Sequence, residues 1–331
     1  MKFLSNNKAL VALAALYIIY VLIDILHWKQ GLPMNPQNLR NILSQTSYTG
    51  IIAVGMTLVI IGGGIDLSVG SLMGLLGVLS ILALNKPSGE PLQTIAAIVV
   101  AIGAGALIGF ANGVIITWGK IAPFVATLAG LVGFRSLALA LTDARSLTAT
   151  SKEVFPGLAQ GGIPIPGAFD AAGRPLLAQW PIFICIAVAA VGSWILNRSV
   201  YGRRLIAVGA NETAAIYSGI RANQIRVISY TFLGLCTGIV AVLQGSRLTG
   251  ADPASLGQNV ELDAIAAVVI GGTSLSGGKG QVWATVVGVL ILGLIGNMLT
   301  ISNINNNWQG CVKGVIILLA VLIQRGQKST S

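Results

Sequence analysis

Charged residues are scarce in this sequence. Asp, Glu, Lys and Arg make up 9% of the 331 residues, hydrophobic residues make up 54%, and the mean hydropathy is +0.83. An average soluble domain carries about 25% charged residues, so this composition excludes an ordinary water-exposed surface. The apolar residues lie in blocks of about 20, the length that crosses the hydrocarbon core of a bilayer. We therefore predict a multi-pass membrane protein.

Residues that usually perform catalysis or hold metals are also scarce. The sequence has three cysteines, none in a CxxC pair, and a single histidine, His27. No His, Cys and carboxylate residues have metal-site spacing, and no nucleophile stands near a general base. The string 271–280 is not a phosphate-binding loop, because Thr273 and Gly280 occupy the positions where that motif needs glycine and Ser or Thr. We predict that this chain holds no catalytic residue, metal or cofactor.

The apolar blocks predict an all-α polytopic protein of about ten transmembrane helices, some of them broken or re-entrant. Barrel strands would be shorter and alternating, so we discard a barrel. Residues 1–331 are predicted to form one transmembrane domain. The predicted spans are 9–26, 43–61, 66–84, 94–118, 121–142, 180–197, 227–245, 258–271, 281–300 and 309–324.

Lys and Arg set the predicted orientation, because they are enriched in short cytoplasmic loops. The segment 198–226 holds five arginines and is predicted to be a cytoplasmic loop, with both chain termini on the same side. The segment 143–179 is rich in Pro and Gly and is predicted to be a periplasmic loop without a folded domain. The net charge of +10 lies at span ends, so nucleic acid is not an expected partner.

Two glycine-rich strings interrupt apolar runs. In the first, Gly63 and Gly64 precede Asp66 and Ser68. Either Asp66 lies at membrane depth facing a cavity, or it caps the next helix in a cytoplasmic turn, and the sequence leaves both open. The second string, 271–280, follows an apolar run from 262 to 271 that is too short to span, so that segment is predicted to be broken or re-entrant.

Other polar residues fall inside predicted spans. Asn112 and Asn297 either form interhelical hydrogen bonds or line a pathway. Arg135 is expected to extend toward the outer membrane interface. Glycines spaced four apart, as at Gly105 and Gly109, predict closely packed helices. In the 198–226 loop, Asn211 is predicted to cap a short helix that Gly219 ends.

Ten spans, the string GGGIDLSVGS, the loop string YGRRLIAVGANETAAIYSGI and the string GGTSLSGGKG occur in this order over nearly the whole chain. In these features the chain resembles the permease subunits of ribose-type ABC sugar importers, within the branched-chain amino acid/ribose permease superfamily. The resemblance implies a non-catalytic permease of the bacterial inner membrane. It also implies a second permease copy, a cytoplasmic ABC ATPase that uses ATP and Mg, and a periplasmic sugar-binding protein.

The resemblance also implies residue roles. The residues expected to couple to the ATPase are Arg203, Arg204, Asn211, Glu212, Ala214, Ala215, Ser218 and Gly219. The expected substrate pathway is Gly63, Gly64, Asp66, Ser68, Asn112, Thr273, Ser274 and Asn297. Similar permeases handle pentoses, hexoses, inositol and a furanosyl signal, and nothing in the residues separates these. The alternative is a secondary transporter of a small polar solute driven by an ion gradient, for which Asp66 is the best ion-binding candidate.

Overall fold

The structure is a computed structural model that describes residues 8–318 except 30, 88, 171, 306–307, 313 and 317. Seven helices within these residues are long and apolar enough to cross a membrane. Six of them are continuous α-helices, and the first becomes a π-helix over Asp24–Trp28. The α-helices of these spans are α1 (Lys8–Ile23), α2 (Pro36–Ile61), α4 (Leu92–Trp118), α5 (Pro123–Leu141), α7 (Trp180–Arg198), α10 (Ala222–Leu248) and α12 (Val282–Ile301).

Two further apolar helices are shorter. Helix α3 (Val69–Leu84) has 16 residues and α11 (Val260–Ile270) has 11. At 1.5 Å per residue, α11 is about 16 Å long and covers only about half of the hydrocarbon core. The predicted spans 66–84 and 258–271 are therefore partly helical and partly irregular. Half of the tenth predicted span, 309–324, and the two terminal segments 1–7 and 319–331 lie outside the described residues.

Helix α2 is the centre of the bundle. In its most apolar window 89% of the residues are buried, against 11% in the first span and in α5. Helices α10, α12 and α7 pack around α2, and α11 joins them on one side. The tightest pair is α4 with α10, which run antiparallel. As predicted, Gly105 and Gly109 on α4 let the backbones approach, here against Gly234 on α10.

The segment 143–179 has more regular structure than its Pro and Gly content predicts. It contains the short helix α6 (Val154–Gln160) and a hairpin of β2 (Gly162–Phe169) and β3 (Pro175–Gln179). Strand β1 (Leu147–Thr148) pairs with β4 (Gly250–Ala251). Because each sheet has only two strands, Pro164 and Pro166 do not interrupt a central ladder. Within the described residues the fold is therefore mostly helical with two small sheets.

The bundle has two distinct ends. The hairpin end carries α6 and both sheets. The coupling-loop end carries α8 (Val200–Ala210), α9 (Glu212–Tyr217) and the glycine-rich loops 62–68 and 271–280.

We expect Gly238→Val to destabilise the bundle. A Cβ at Gly238 would lie 2.5 Å from the Ala101 carbonyl oxygen and 2.8 Å from the Ile102 Cα, both backbone atoms. Forcing an extra side chain into such a contact costs about 1–3 kcal/mol. The control is Gly103→Val on α4, where nothing lies within 4 Å of the new Cβ. Thermal inactivation of detergent-purified protein should occur at a lower temperature for Gly238→Val alone, and equal temperatures would contradict the packing.

Candidate functional site

Helix α9 is a short exposed helix whose two ends are built as the sequence predicts. The Asn211 side chain accepts a hydrogen bond from the Ala214 N–H at 3.0 Å. Gly219 follows the helix with φ +79°, a conformation that favours glycine. Tyr217 is 88% exposed, and Ala214 is exposed beside it. Ala215 points inward, so only one of the two predicted alanines is on the outer surface.

Helix α8 forms the support for α9. The Tyr201 hydroxyl lies 2.6 Å from the Ser229 Oγ and donates to the Ile225 carbonyl oxygen at 3.2 Å. These contacts fasten α8 to the first turns of α10. Burial raises the pKa of Tyr201 to about 12, so its hydroxyl stays protonated at neutral pH. Arg203 and Arg204 lie exposed on α8.

Arg226 links α9 to the glycine loop. Its Nη1 and Nη2 donate to the two carboxylate oxygens of Glu212 at 2.6 and 2.8 Å. Its Nε donates to the Gly62 carbonyl oxygen at 3.1 Å, just beyond the end of α2. Sequence reasoning counted Arg226 only as a positive charge on the cytoplasmic side. Its partner Glu212 was expected to face the ATPase, whereas its carboxylate is engaged within the chain.

The loop 62–68 begins at Gly62, which Arg226 contacts, and runs into the interior of the bundle. The Tyr230 hydroxyl donates to the Ile65 carbonyl oxygen at 3.1 Å. A Cβ at Gly64 would lie 2.5 Å from the Tyr230 hydroxyl oxygen, so a larger residue would displace this contact. Gly63 has φ +78°. The two glycines therefore let the backbone turn tightly against α10.

Asp66 forms a turn just before α3. Its Oδ1 accepts from the Ser68 N–H at 2.8 Å and from the Ser68 hydroxyl at 2.6 Å, and Ser68, not Asp66, is the N-cap residue of α3. Asp66 is also 3% exposed, and Asn112 donates to the Ser68 Oγ at 3.3 Å. Asn112 and Tyr230 each lie about two turns inside their helices, about 10 Å from the ends. Asp66 is thus a buried carboxylate that holds the turn before α3, beside residues well inside α4 and α10.

The second glycine string packs onto the same place. The Gly278 N–H donates to the Ile61 carbonyl oxygen at 2.9 Å. A Cβ at Gly278 would lie 2.7 Å from the Ala210 Cα at the end of α8. Thr273 is fully buried, and the Ser274 N–H donates to the Lys279 carbonyl oxygen at 2.9 Å. The three strings that are separate in sequence therefore meet at the coupling-loop end.

Arg135 does not extend to the outer interface, and that prediction is wrong. Its Nη1 donates to the carbonyl oxygens of Pro253 and Leu256 at 2.7 and 2.9 Å. These carbonyls belong to the irregular stretch 252–259 before α11. In a continuous helix, backbone N–H groups would bond to such carbonyl oxygens, and here the Arg135 guanidinium takes their place. Glu261, at the start of α11, packs against Gly70, near the start of α3. The starts of the two short helices therefore meet inside the bundle.

Asn297 lies apart from the other predicted pathway residues. It accepts from the Tyr20 hydroxyl at 2.9 Å and donates to the Asn38 Oδ1 at 2.9 Å, so it forms the interhelical hydrogen bonds of one reading. It also lines a polar cavity of about 300 Å³ between α2, α11 and α12. Both of its predicted roles are therefore compatible with its position.

The hairpin end has a basic cavity of about 530 Å³, which we call the arginine basin. Arg40, Arg174 and Arg247 line it together with polar side chains. The Arg247 guanidinium lies 5.5 Å from the centre of the Tyr48 ring, a cation–π distance. Among the residues that the structure describes, no three His, Cys, Asp or Glu side chains are grouped to hold a metal ion.

Known proteins resemble this chain over nearly its whole length. The family described as branched-chain amino acid transport system / permease component matches residues 38–321. The ribose import permease protein RbsC of Bacillus subtilis (strain 168) is 39% identical over 315 residues, which cover 94% of this chain and 90% of that protein. RbsC of Escherichia coli (strain K12) is 38% identical over 320 residues, covering 97% and 94%.

A more distant relative has another sugar in its name. The xylose transport system permease protein XylH of Escherichia coli (strain K12) is 33% identical over 374 residues, covering 98% of this chain and 94% of that protein. No solved structure matches this chain. These matches favour the ABC permease over the alternative of a transporter driven by an ion gradient. The prediction of a multi-pass protein of the bacterial plasma membrane is also confirmed. The chain belongs to the branched-chain amino acid transport system / permease component family, as the non-catalytic membrane subunit of an ABC transporter.

Proposed function

We propose that this permease imports a small neutral sugar such as ribose or xylose, with its coupling-loop end in the cytoplasm. The observation that carries the proposal is the contact of Arg226 with both Glu212 on α9 and the Gly62 carbonyl oxygen. It joins an exposed helix to a loop that reaches membrane depth. The sugar class follows from the names of the relatives, which are ribose and xylose permeases.

The proposed ATPase contact is the outer surface of α9. Tyr217 and Ala214 form its exposed face, and Asn211, Ser218 and Gly219 shape its two ends. The exposed Arg203 and Arg204 on α8 are proposed to add contacts to the same partner. The partner ATPase binds ATP with Mg. When two ATPase subunits close, they draw the α9 helices of two permease copies together, and Arg226 transmits this displacement to the loop 62–68. A movement at the membrane surface thus reaches a buried loop without unfolding either helix.

The two glycine strings are proposed to form the cytoplasmic closure of the sugar pathway. Asp66, Ser68 and Thr273 are almost completely buried, which suits a closed seal better than a wet channel wall. Gly63 and Gly64 supply the backbone freedom for opening. Asn112 and Ser274 complete the polar lining of this closure, and Asn297 lies on the pathway at the opposite end.

The arginine basin is proposed to receive the periplasmic sugar-binding protein. Its three arginines favour a partner surface that carries carboxylates. The β2–β3 hairpin forms one side of the basin through Arg174 and Gln179. The segment 143–179 therefore contributes an ordered docking wall.

Loss of the Arg226 contacts should uncouple ATP hydrolysis from transport. We expect Arg226→Gln to lower the sugar transported per ATP hydrolysed about tenfold in proteoliposomes, within the usual range of energetic coupling between sites. Both the carboxylate pair and the Gly62 contact are weakened, while the outer surface of α9 is unchanged. The control is Arg221→Gln, which removes an exposed arginine from the same loop. Equal transport per ATP in the two variants would refute the proposed transmission.

Substitution on the outer surface of α9 should instead prevent assembly. We expect Ala214→Arg to reduce ATPase co-purification at least tenfold, because the new side chain occupies an exposed position that the partner must approach closely. Ala172→Arg is the matched control, since Ala172 is exposed on the hairpin turn at the opposite end. If Ala214→Arg retains as much co-purifying ATPase as Ala172→Arg, α9 is not the element that docks the ATPase.

Docking at the arginine basin should depend on charge. With Arg40→Gln, we expect the concentration of liganded binding protein that half-maximally stimulates ATP hydrolysis to rise roughly threefold, the scale of one exposed ion pair. The rise should shrink as salt screens the wild-type interaction. Arg145→Gln, an exposed arginine in the segment before β1, is the control. No difference from this control at low salt would exclude a role for the basin.

A further inference from the structure

The polar cavity that Asn297 lines is a groove between α2, α11 and α12. We infer that this groove is the intramembrane binding site of the transported solute, and that it takes a neutral polyhydroxylated molecule. The inference rests on the proposed function and names a site for its substrate. The side chains that carry the argument are Gln45 and Thr49 of α2, Asp263 of α11, and Asn297 and Thr300 of α12.

The groove has apolar walls, which include Ile42, Val289 and Leu292, together with polar side chains that do not suit lipid. Amide, hydroxyl and carboxylate groups are costly against hydrocarbon, and in membrane proteins they usually face a partner or a water-filled cavity. Lipid-accessible surfaces of this chain have a different composition: the exposed side chains of α1 include Leu10, Ile18, Ile19 and Leu22. The contrast indicates that the α2–α12 groove is open to water or to a polar solute.

The lining favours a sugar over an anionic solute. Gln45 and Asn297 carry amide groups, the Thr49 hydroxyl can donate and accept, and the Thr300 hydroxyl, which donates to the Gly296 carbonyl oxygen at 2.9 Å, can accept. Asp263 adds a carboxylate to the lining. The described lining residues include no Lys or Arg, so none of them neutralises an anion. A volume of about 300 Å³ is at the lower end for ligand sites, which suits a small molecule.

Asn297 is held in a fixed orientation for this role. Tyr20 donates to its Oδ1, and its Nδ2 donates to the Asn38 Oδ1. Both partners come from other helices, so the amide is positioned at the groove wall before a solute arrives. A pre-oriented polar group loses less conformational entropy on binding than a mobile one.

The groove also connects the two regions to which transport roles were assigned. Gln45 lines both the groove and the arginine basin at the hairpin end. At the other side of the groove, Asp263 belongs to α11, whose last residue leads into the loop 271–280. That loop rests on Ile61 and Ala210 at the coupling-loop end. A solute in the groove therefore lies between the docking surface and the proposed cytoplasmic closure.

Filling the groove tests the inference. Gly296 on α12 lines the groove, and nothing lies within 4 Å of a Cβ placed on it. We expect Gly296→Val to lower uptake of D-ribose and D-xylose at least tenfold, normalised to permease in the membrane, while ATP hydrolysis stimulated by the liganded binding protein is retained. Gly103→Val is the matched control, with the same substitution in open space on α4. Equal uptake by the two variants would overturn the inference that the groove binds the solute.

The conservative variant Asp263→Asn keeps the size of the side chain. We expect it to raise the KM for uptake about tenfold while stimulated ATP hydrolysis is unchanged. A purely structural role for Asp263 would instead lower the amount of inserted permease and leave KM unaltered. If the wild-type complex shows no stimulated ATP hydrolysis, the proposed function is wrong. If the wild-type complex is stimulated but Asp263→Asn leaves KM unchanged, only the proposed binding site is wrong.

Water access to the groove can be measured without knowing the solute. In a Cys311→Ser background, we expect Thr300→Cys to react with a charged, membrane-impermeant maleimide in intact membranes. Val132→Cys is the control, because Val132 is 60% exposed on the apolar surface of α5. Reaction of Thr300→Cys alone supports the inference, and protection of both cysteines would overturn it.

Discussion

The hydrocarbon core offers no hydrogen-bond partners, and the two irregular segments of this chain must find all of theirs inside the protein. The stretch before α11 relies on Arg135, which bonds to the carbonyl oxygens of Pro253 and Leu256. The stretch before α3 relies on Tyr230 and on the Asp66 carboxylate. The rest of the bundle follows from this constraint, because α5 and α10 must lie where they can supply these side chains.

The same constraint assigns a distinct role to α11. This helix is too short to cross the membrane and begins at the start of α3, where Glu261 packs against Gly70. Its other end runs into the loop that rests on Ile61 and Ala210. One side of α11 carries Asp263 toward the polar groove. A rigid segment of this size can shift as a unit when the loops at its two ends move.

Local features of the sequence predict the local parts of this structure well. The cap by Asn211, the glycine after α9 and the close packing of α4 on α10 each depend on residues a few positions apart, or on a repeating small residue. The short apolar run at 262–271 predicts a broken segment for the same reason, because its length alone excludes a span. The ordered hairpin was not predicted, because its pairing of β2 with β3 outweighs the Pro and Gly content.

The sequence does not predict which residues far apart in the chain bond to each other. Arg226 bonds to Gly62, 164 positions away, and Arg135 bonds to Leu256, 121 positions away. In sequence, Arg226 looks like any arginine near a membrane surface, since positive charge at span ends already explains its presence. Arg135 lies inside a predicted span and looks like a side chain that extends to the interface. The two glycine strings were recognised as unusual, but their convergence on α8 depends on the tertiary fold. The groove combines helices from both halves of the chain, so no single motif indicates it.

The arginine basin and the groove are lined by different charged side chains, and they share Gln45. The basin presents three arginines, whereas the groove presents the Asp263 carboxylate and no basic side chain among its described lining residues. On the proposed route, sugar acids and sugar phosphates that gather at the arginines would next meet a groove whose described side chains offer them no basic partner. We therefore expect uncharged sugars to pass more readily than anions, even though the arginines attract anions.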